Sequence, residues 1–271
     1  MSDINLCIMS DDFGMHPAVN EGIVRAFVDG VLTCADLMPP CPAFHEAARL
    51  AHIHHIPTGH HVTLTCEWDH YHWGPLTKAP SLTTPEGWLK TSFAKIWRTA
   101  KREEVIAEIE AQCQAMLDEG LDVTNATCHM AGQKTFFNAY AQIAPEYQRP
   151  IRRPEASMPA GLKTYRWDSV FYSTTIYTEY RRRKAATTAW LKRLEPGYHF
   201  WITHVALDHP SMDELTSPGT PLYRWTRPYR SLDIALLLDN EIKEIIAERN
   251  IRRISIVEAP IITYTTPVVA A

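Results

Sequence analysis

The chain lacks most of the local signatures that fix a function class on sight. Its six cysteines, Cys7, Cys34, Cys41, Cys66, Cys113 and Cys128, form no Cys-x-x-Cys pair. Several lie in apolar, strand-like runs and read as reduced, buried thiols. No uninterrupted apolar run reaches the roughly 18 residues that mark a membrane helix. The opening Met1-Ser2-Asp3 shows no basic-then-apolar leader. A cytoplasmic location without membrane contact is therefore expected. Basic residues are not clustered either: the net charge is −4 and the longest basic run is Arg181-Arg182-Arg183-Lys184. That argues against nucleic-acid binding, which calls for a clustered basic face, and the run itself reads as the solvated side of an amphipathic helix. No repeat, low-complexity tract or linker divides the chain, so residues 1–271 are read as a single catalytic domain.

With 271 residues, 45% of them hydrophobic, the chain is long enough to bury a full core as one α/β barrel. Short β-branched runs alternate with longer helical patterns, the mark of βα units around a parallel sheet. Strands are predicted at 5–9, 31–38, 58–65, 122–129, 149–152, 199–204 and 253–257. Helices are predicted at 18–29, 43–52, 103–119, 135–143, 177–194 and 231–249. In the third of these, Val105, Ile109, Cys113, Met116 and Leu117 fall near helical spacing, with Gly120 as a stop. About seven strands indicate an α/β fold of the (β/α) barrel type, an incomplete relative of the TIM barrel. Two connections, 66–101 and 205–230, are longer than compact domains usually carry and are candidates for function.

Active sites of such barrels collect at the C-terminal ends of the strands. There the sequence places Asp11 and Asp12 after the first strand, His60 and His61 in the third, His129 at the end of the fourth and His204 at the end of the sixth. Each alone has a plain alternative. A strand histidine is often a hydrogen-bonded core residue, and adjacent aspartates can cap the next helix. Their convergence on one end of the barrel points instead to a metal site with open positions for water and substrate. Because neighbours on a strand face opposite sides, only one of His60 and His61 can join it.

The run Ser10-Asp11-Asp12-Phe13-Gly14, with Asn20-Glu21-Gly22-Ile23 and Gly59-His60-His61-Val62-Thr63-Leu64-Thr65, resembles the YdjC-like carbohydrate deacetylases, the family of chitooligosaccharide deacetylase. The resemblance extends over nearly the whole chain and implies a (β/α) barrel variant. It implies a divalent metal (Mg2+ or Zn2+) held by Asp12, His61 and His129, with Asp11 as general base and His204 as general acid. It also implies Arg152 as a residue that orders the site and meets substrate, and an acetylated sugar or small oligosaccharide as that substrate. The chain departs from the family pattern at Thr127-Cys128-His129-Met130-Ala131-Gly132. It also has Val205 after His204, with a His209-Pro210 pair further on, so His209 is an alternative general acid.

Trp68 and Trp73, in a loop with His70, Tyr71, His72 and Trp88, are candidates to stack on sugar rings, or else to pin that loop to the barrel. Asp69-His70-Tyr71-His72 is an alternative metal site. The rival readings are a two-carboxylate glycoside hydrolase, which leaves the histidines unexplained, an amidase acting on a non-carbohydrate amide, and a silent sugar-binding barrel. The sequence leaves assembly open, a homodimer included.

Overall fold

A computed structural model describes residues 3–131, 133–155, 158–173, 179–216 and 225–265. The central strand is β1 (Ile4–Phe13), whose Leu6-Cys7-Ile8-Met9 core is wholly buried. A strand apolar on both faces belongs inside a sheet covered on both sides. One edge of β1 pairs in parallel with β7 (Gly197–Thr203), from Ile4–Gly197 to Ser10–Thr203. The other edge is shared: β8 (Arg252–Ile254) takes Asn5 to Cys7, and β2 (Cys34–Leu37) takes Met9 onward.

Beyond β2 lie β3 (Thr58–Val62) and β4 (Val123–Cys128), and β6 (Ser169–Tyr172) lies outside β7. These make a seven-stranded parallel sheet in the order β4-β3-β2-β1-β7-β6, with β8 also on β1. Single bridges at Ile151 carry the wall from β4 toward β5 (Lys163–Tyr165), which pairs antiparallel with β9 (Ile261–Thr263). The result is the expected barrel variant with about seven strands.

Helices cover the outside: α1 (Pro17–Val28), α2 (Phe44–His54), α3 (Phe93–Trp97), α4 (Arg102–Asp118), α5 (Gln133–Tyr140), α6 (Tyr180–Lys192), α7 (Arg227–Leu238) and α8 (Asn240–Glu248). In α4 the buried face carries Val105, Ile109, Cys113 and Met116, and also Glu108 and Gln112. The helix predicted at 231–249 is two helices, because Asp239 leaves helical geometry and its side chain caps α8 at Glu241 N. The strand predicted at 149–152 shrinks to the bridge at Ile151, and β5, β6 and β9 were not predicted. Residues 177 and 178 of the predicted sixth helix, and 217–224 of the long second connection, lie outside the described residues.

The basic run is not wholly solvated, since Arg183 is fully buried against Asp233 at 2.8 Å. All six cysteines are free. No helix among the described residues is long and apolar enough to cross a membrane.

Candidate metal centre and active site

The site begins with a break in β1. Consecutive strand residues point to opposite faces, yet Asp11 and Asp12 line the same cavity. The backbone explains it. Asp12 sits in the left-handed region at φ 72°, and the pairing of β1 with β2 slips between Ser10 and Phe13. A non-glycine residue there costs on the order of 1–3 kcal/mol and persists only where its surroundings enforce it. Here Met15 N–H donates to Asp12 O (3.0 Å) and Gly14 N–H to Asn20 Oδ1 (2.8 Å). Gly14 has φ 95° and meets the Phe44 backbone, so a side chain would not fit. The aspartates do not cap α1, because His16 does so through Nδ1 and Ala18 N.

Three buried donor atoms form a nearly equilateral triangle. Asp12 Oδ1 lies 3.3 Å from His61 Nε2 and 3.3 Å from His129 Nδ1, and the two nitrogens are 3.3 Å apart. Asp12 Oδ1 has no hydrogen-bond partner although it is buried. Bonds of about 2.0–2.1 Å in a tetrahedral site put neighbouring ligand atoms about 3.3–3.4 Å apart. The donor types and spacing therefore fit a divalent cation on the triangle.

Outer partners hold two of the three donor residues. Asp12 Oδ2 accepts from Arg230 Nη2 at 2.6 Å, and His129 Nε2 meets both Glu67 oxygens at 3.0 and 2.9 Å. Burial works to raise the Asp12 carboxyl, but the Arg230 guanidinium and the two imidazoles hold it well below the usual range. Burial works to lower His129, yet the carboxylates of Glu67 and Asp12 hold it up at about 10.

Asp11 stands beside the triangle, 3.9 Å from His61 Nε2. Arg152 grips both its oxygens, Nη1 on Oδ1 and Nη2 on Oδ2 at 3.1 Å, and also donates to Asp36 Oδ2 at 2.9 Å. Against the upward pull of burial, Arg152, His61 and His204 keep the Asp11 carboxyl low. Burial pushes Asp36 up to about 6, and Asn125 Nδ2 donates to its other oxygen at 2.9 Å. Gly59 makes room for this pair, since a Cβ there would stand 2.1 Å from Asp36 Oδ1. Asp11, Asp36 and His61 form a second group with ligand-like spacing, but Arg152 already supplies the positive charge between its carboxylates.

His204 Nε2 lies 3.6 Å from Asp11 Oδ2. Burial draws this imidazole down to about 4. Tyr172 stacks on one side of its ring (6.5 Å between centroids) and Trp225 lies 4.4 Å away on another. The triangle, Asp11, Arg152 and His204 open onto one cavity of about 450 Å³.

The strand-end residues Asp11, Asp12, His61, His129 and His204 thus come together as expected. His209 does not join them, because it is exposed and its Nδ1 caps a short turn of helix at Ser211. Arg152 borders the cavity, and its terminal nitrogens are engaged by Asp11 and Asp36, so it holds these two carboxylates in place. Trp68 and Trp73 are corrected outright. They are 0% and 2% exposed and pack in the core, leaving no open ring face for a sugar. The Asp69-His70-Tyr71-His72 segment forms no metal cluster among the described residues, and Asp69 and His70 face solvent.

Sequence reasoning missed Asp36, Glu67, Trp225 and Arg230. Asp36 had a signal, a lone charge in the apolar run Leu32 to Met38. Arg230 had none, because its partner Asp12 is 218 residues away.

Comparison with known proteins agrees with this architecture. The profile of the family described as YdjC-like protein matches residues 5–248. A protein of Geobacillus stearothermophilus named carbohydrate deacetylase is 35% identical over 162 residues, 58% of this chain and 63% of that protein, under two thirds of its length. One of the same name from Thermoanaerobacter pseudethanolicus is 26% identical over 258 residues, 91% of this chain and 95% of that protein. A crystal structure from Enterococcus faecalis V583, described as a candidate cellobiose-phosphate cleavage protein, superposes with a TM-score of 0.75 at 23% identity, covering 95% of this chain and 99% of that one. The Xyl-CE4 domain of a multidomain xylanase from the hindgut metagenome of Trinervitermes trinervoides shares the fold at a TM-score of 0.51 and 9% identity, covering 94% and 89%.

Proposed function

The chain belongs to the YdjC-like protein family, and we propose that it is a single-domain, metal-dependent carbohydrate deacetylase that hydrolyses the N-acetyl group of an amino sugar or small oligosaccharide. The observation that carries this reading is the triangle of Asp12 Oδ1, His61 Nε2 and His129 Nδ1 at 3.3 Å spacing, with Asp11 beside it. Two imidazoles and one carboxylate suit Zn2+ better than Mg2+, which prefers an all-oxygen octahedron. A divalent cation held there supplies Lewis-acid polarisation of the acyl carbonyl and makes water a stronger nucleophile.

The chain's own residues then carry the protons. Asp11, ionised at neutral pH and fixed by Arg152, accepts a proton as water attacks the acyl carbon. Asp36 shares that guanidinium and helps hold it against Asp11. His204 is neutral at rest, since burial holds it near 4. The proton it delivers to the departing nitrogen is therefore the one Asp11 has accepted, passed across the 3.6 Å gap between them. The C–N bond breaks as nitrogen is protonated, leaving acetate and a free amine. General acid-base help of this kind contributes about 10²–10⁴-fold. Trp225, half-buried beside His204, offers an apolar face to a sugar ring. A cavity of about 450 Å³ suits a small ligand.

The test is to purify the protein with metal analysis and to measure acetate release from N-acetylated oligosaccharides, unacetylated glycans and simple amides. Acetate from the first group alone, abolished by chelation and restored by zinc, is expected. Release from simple amides alone would favour the amidase reading, and cleavage of unacetylated glycans the glycosidase.

A further inference from the structure

Glu67 lies outside the donor triangle yet is only 2% exposed. A buried carboxylate costs several kcal/mol unless something positive or hydrogen-bonding meets it. Both its oxygens lie on His129 Nε2, at 3.0 and 2.9 Å. The residue belongs to the long connection after β3, and that connection is clamped close to it. Trp68 beside it is fully buried, and the Trp73 indole N–H donates to Thr65 O at 2.9 Å. Cys66 N–H donates to Lys90 O at 3.1 Å. The tryptophans therefore pin the loop, the second of the two readings the sequence allowed, and hold a carboxylate in place.

An imidazole offers a lone pair to a cation from one nitrogen only when its proton sits on the other. A carboxylate on Nε2 keeps the proton there, aims the Nδ1 lone pair at the triangle and strengthens it as a donor. The geometry points to Glu67 as a positioning residue that sets the tautomer of His129 and, through it, the affinity of the Asp12, His61 and His129 site for a divalent cation. This inference rests on the metal reading above. The second imidazole ligand has no such support, because His61 Nδ1 is buried without a hydrogen-bond partner. His61 therefore cannot substitute for the lost orientation of His129.

The test is a competition titration of the full, chelator-stripped chain with Zn2+ alone against a chromophoric chelator, with no substrate present. Removing an outer partner of this kind lowers metal affinity about 10- to 100-fold. Glu67→Ala should show such a loss. Glu67→Gln, whose amide oxygen still accepts the N–H without charge, should lose less. Glu155→Gln is the control: Glu155 borders the same cavity but pairs with Arg153 at 2.8 Å, and this variant should bind zinc as the parent does.

Thermal unfolding in excess chelator reports any purely structural loss separately. Should Glu67→Ala fail to fold, the near-isosteric Glu67→Gln carries the test. Parental zinc affinity in the folded Glu67 variants would overturn the inference, as would an equal loss in Glu155→Gln. A parent chain that binds no zinc would overturn the metal reading itself.

Discussion

His60 and His61 are consecutive on β3, almost equally buried, and built into opposite kinds of surroundings. His61 turns Nε2 into the triangle with Asp12 and His129. His60 turns outward and meets Gln112 Oε1 of α4 at 3.3 Å. Behind that contact the polar groups are matched. Gln112 donates to Thr63 O and Glu108 Oε1 and accepts from Thr63 N, and Glu108 accepts from the backbone of Leu76 and Thr77. No side-chain atom of His60, Gln112 or Glu108 is left buried and unpartnered, whereas Asp12 Oδ1 and His61 Nδ1 are. Residue type and burial do not separate His60 from His61; what meets their ring nitrogens does.

The sharpest way to break this comparison is to remove the inner histidine. His61→Ala should lose stoichiometric zinc and at least about 10⁴-fold in turnover, read by metal analysis and acetate release. Next comes Asp11→Asn, which leaves the triangle intact. It should keep zinc while turnover falls about 10²–10⁴-fold, and loss of zinc in this variant would move Asp11 from base to ligand.

Arg230→Met probes the inner cluster as a charge balance. It should destabilise the chelated protein by about 3–5 kcal/mol by leaving the Asp12 carboxylate unpaired. Zinc, by supplying positive charge at the same carboxylate, should recover most of that loss in a thermal melt. The outer histidine predicts the smallest effects. His60→Gln should keep zinc and change turnover no more than about threefold, while costing about 1 kcal/mol of stability or ~2–4 °C in Tm.

The outer histidine also predicts a pH signature. Burial, only partly offset by Gln112, holds the folded His60 imidazole at about 3, against an ordinary value near 6.5. The unfolded chain therefore takes up a proton below pH 6.5 that the folded chain refuses. The stability His60 contributes is complete above 6.5 and is lost as pH falls toward 3, by up to ~1.4 kcal/mol per pH unit. Denaturant melts should show His60→Gln less acid-sensitive than the parent in that window. Equal slopes would mean that His60 is hydrated in the folded state.

The inner set was legible because strand ends in a parallel barrel converge, so Asp11, Asp12, His129 and His204 and one of the pair His60 and His61 could be read from their positions, and the family resemblance singled out His61. What completes the site was not legible. Glu67 and Arg230 reach it from a long connection and the first turn of α7, and no local periodicity records where those fold back. Trp68 and Trp73 could be read either as a sugar-binding surface or as a clamp, because aromatic residues in a loop look alike whether the loop is open or pinned. The edge strands β5 and β6 escaped because three or four residues show too little alternation to be read as strands. Asp239 also hid a helix boundary, since the apolar pattern of α7 runs on into α8 through its cap.

The most direct test of the central claim is zinc per chain, measured side by side in folded His60→Gln and His61→Ala. The account predicts about one zinc in the first and none in the second. Zinc retained in His61→Ala, or lost from His60→Gln, would contradict it.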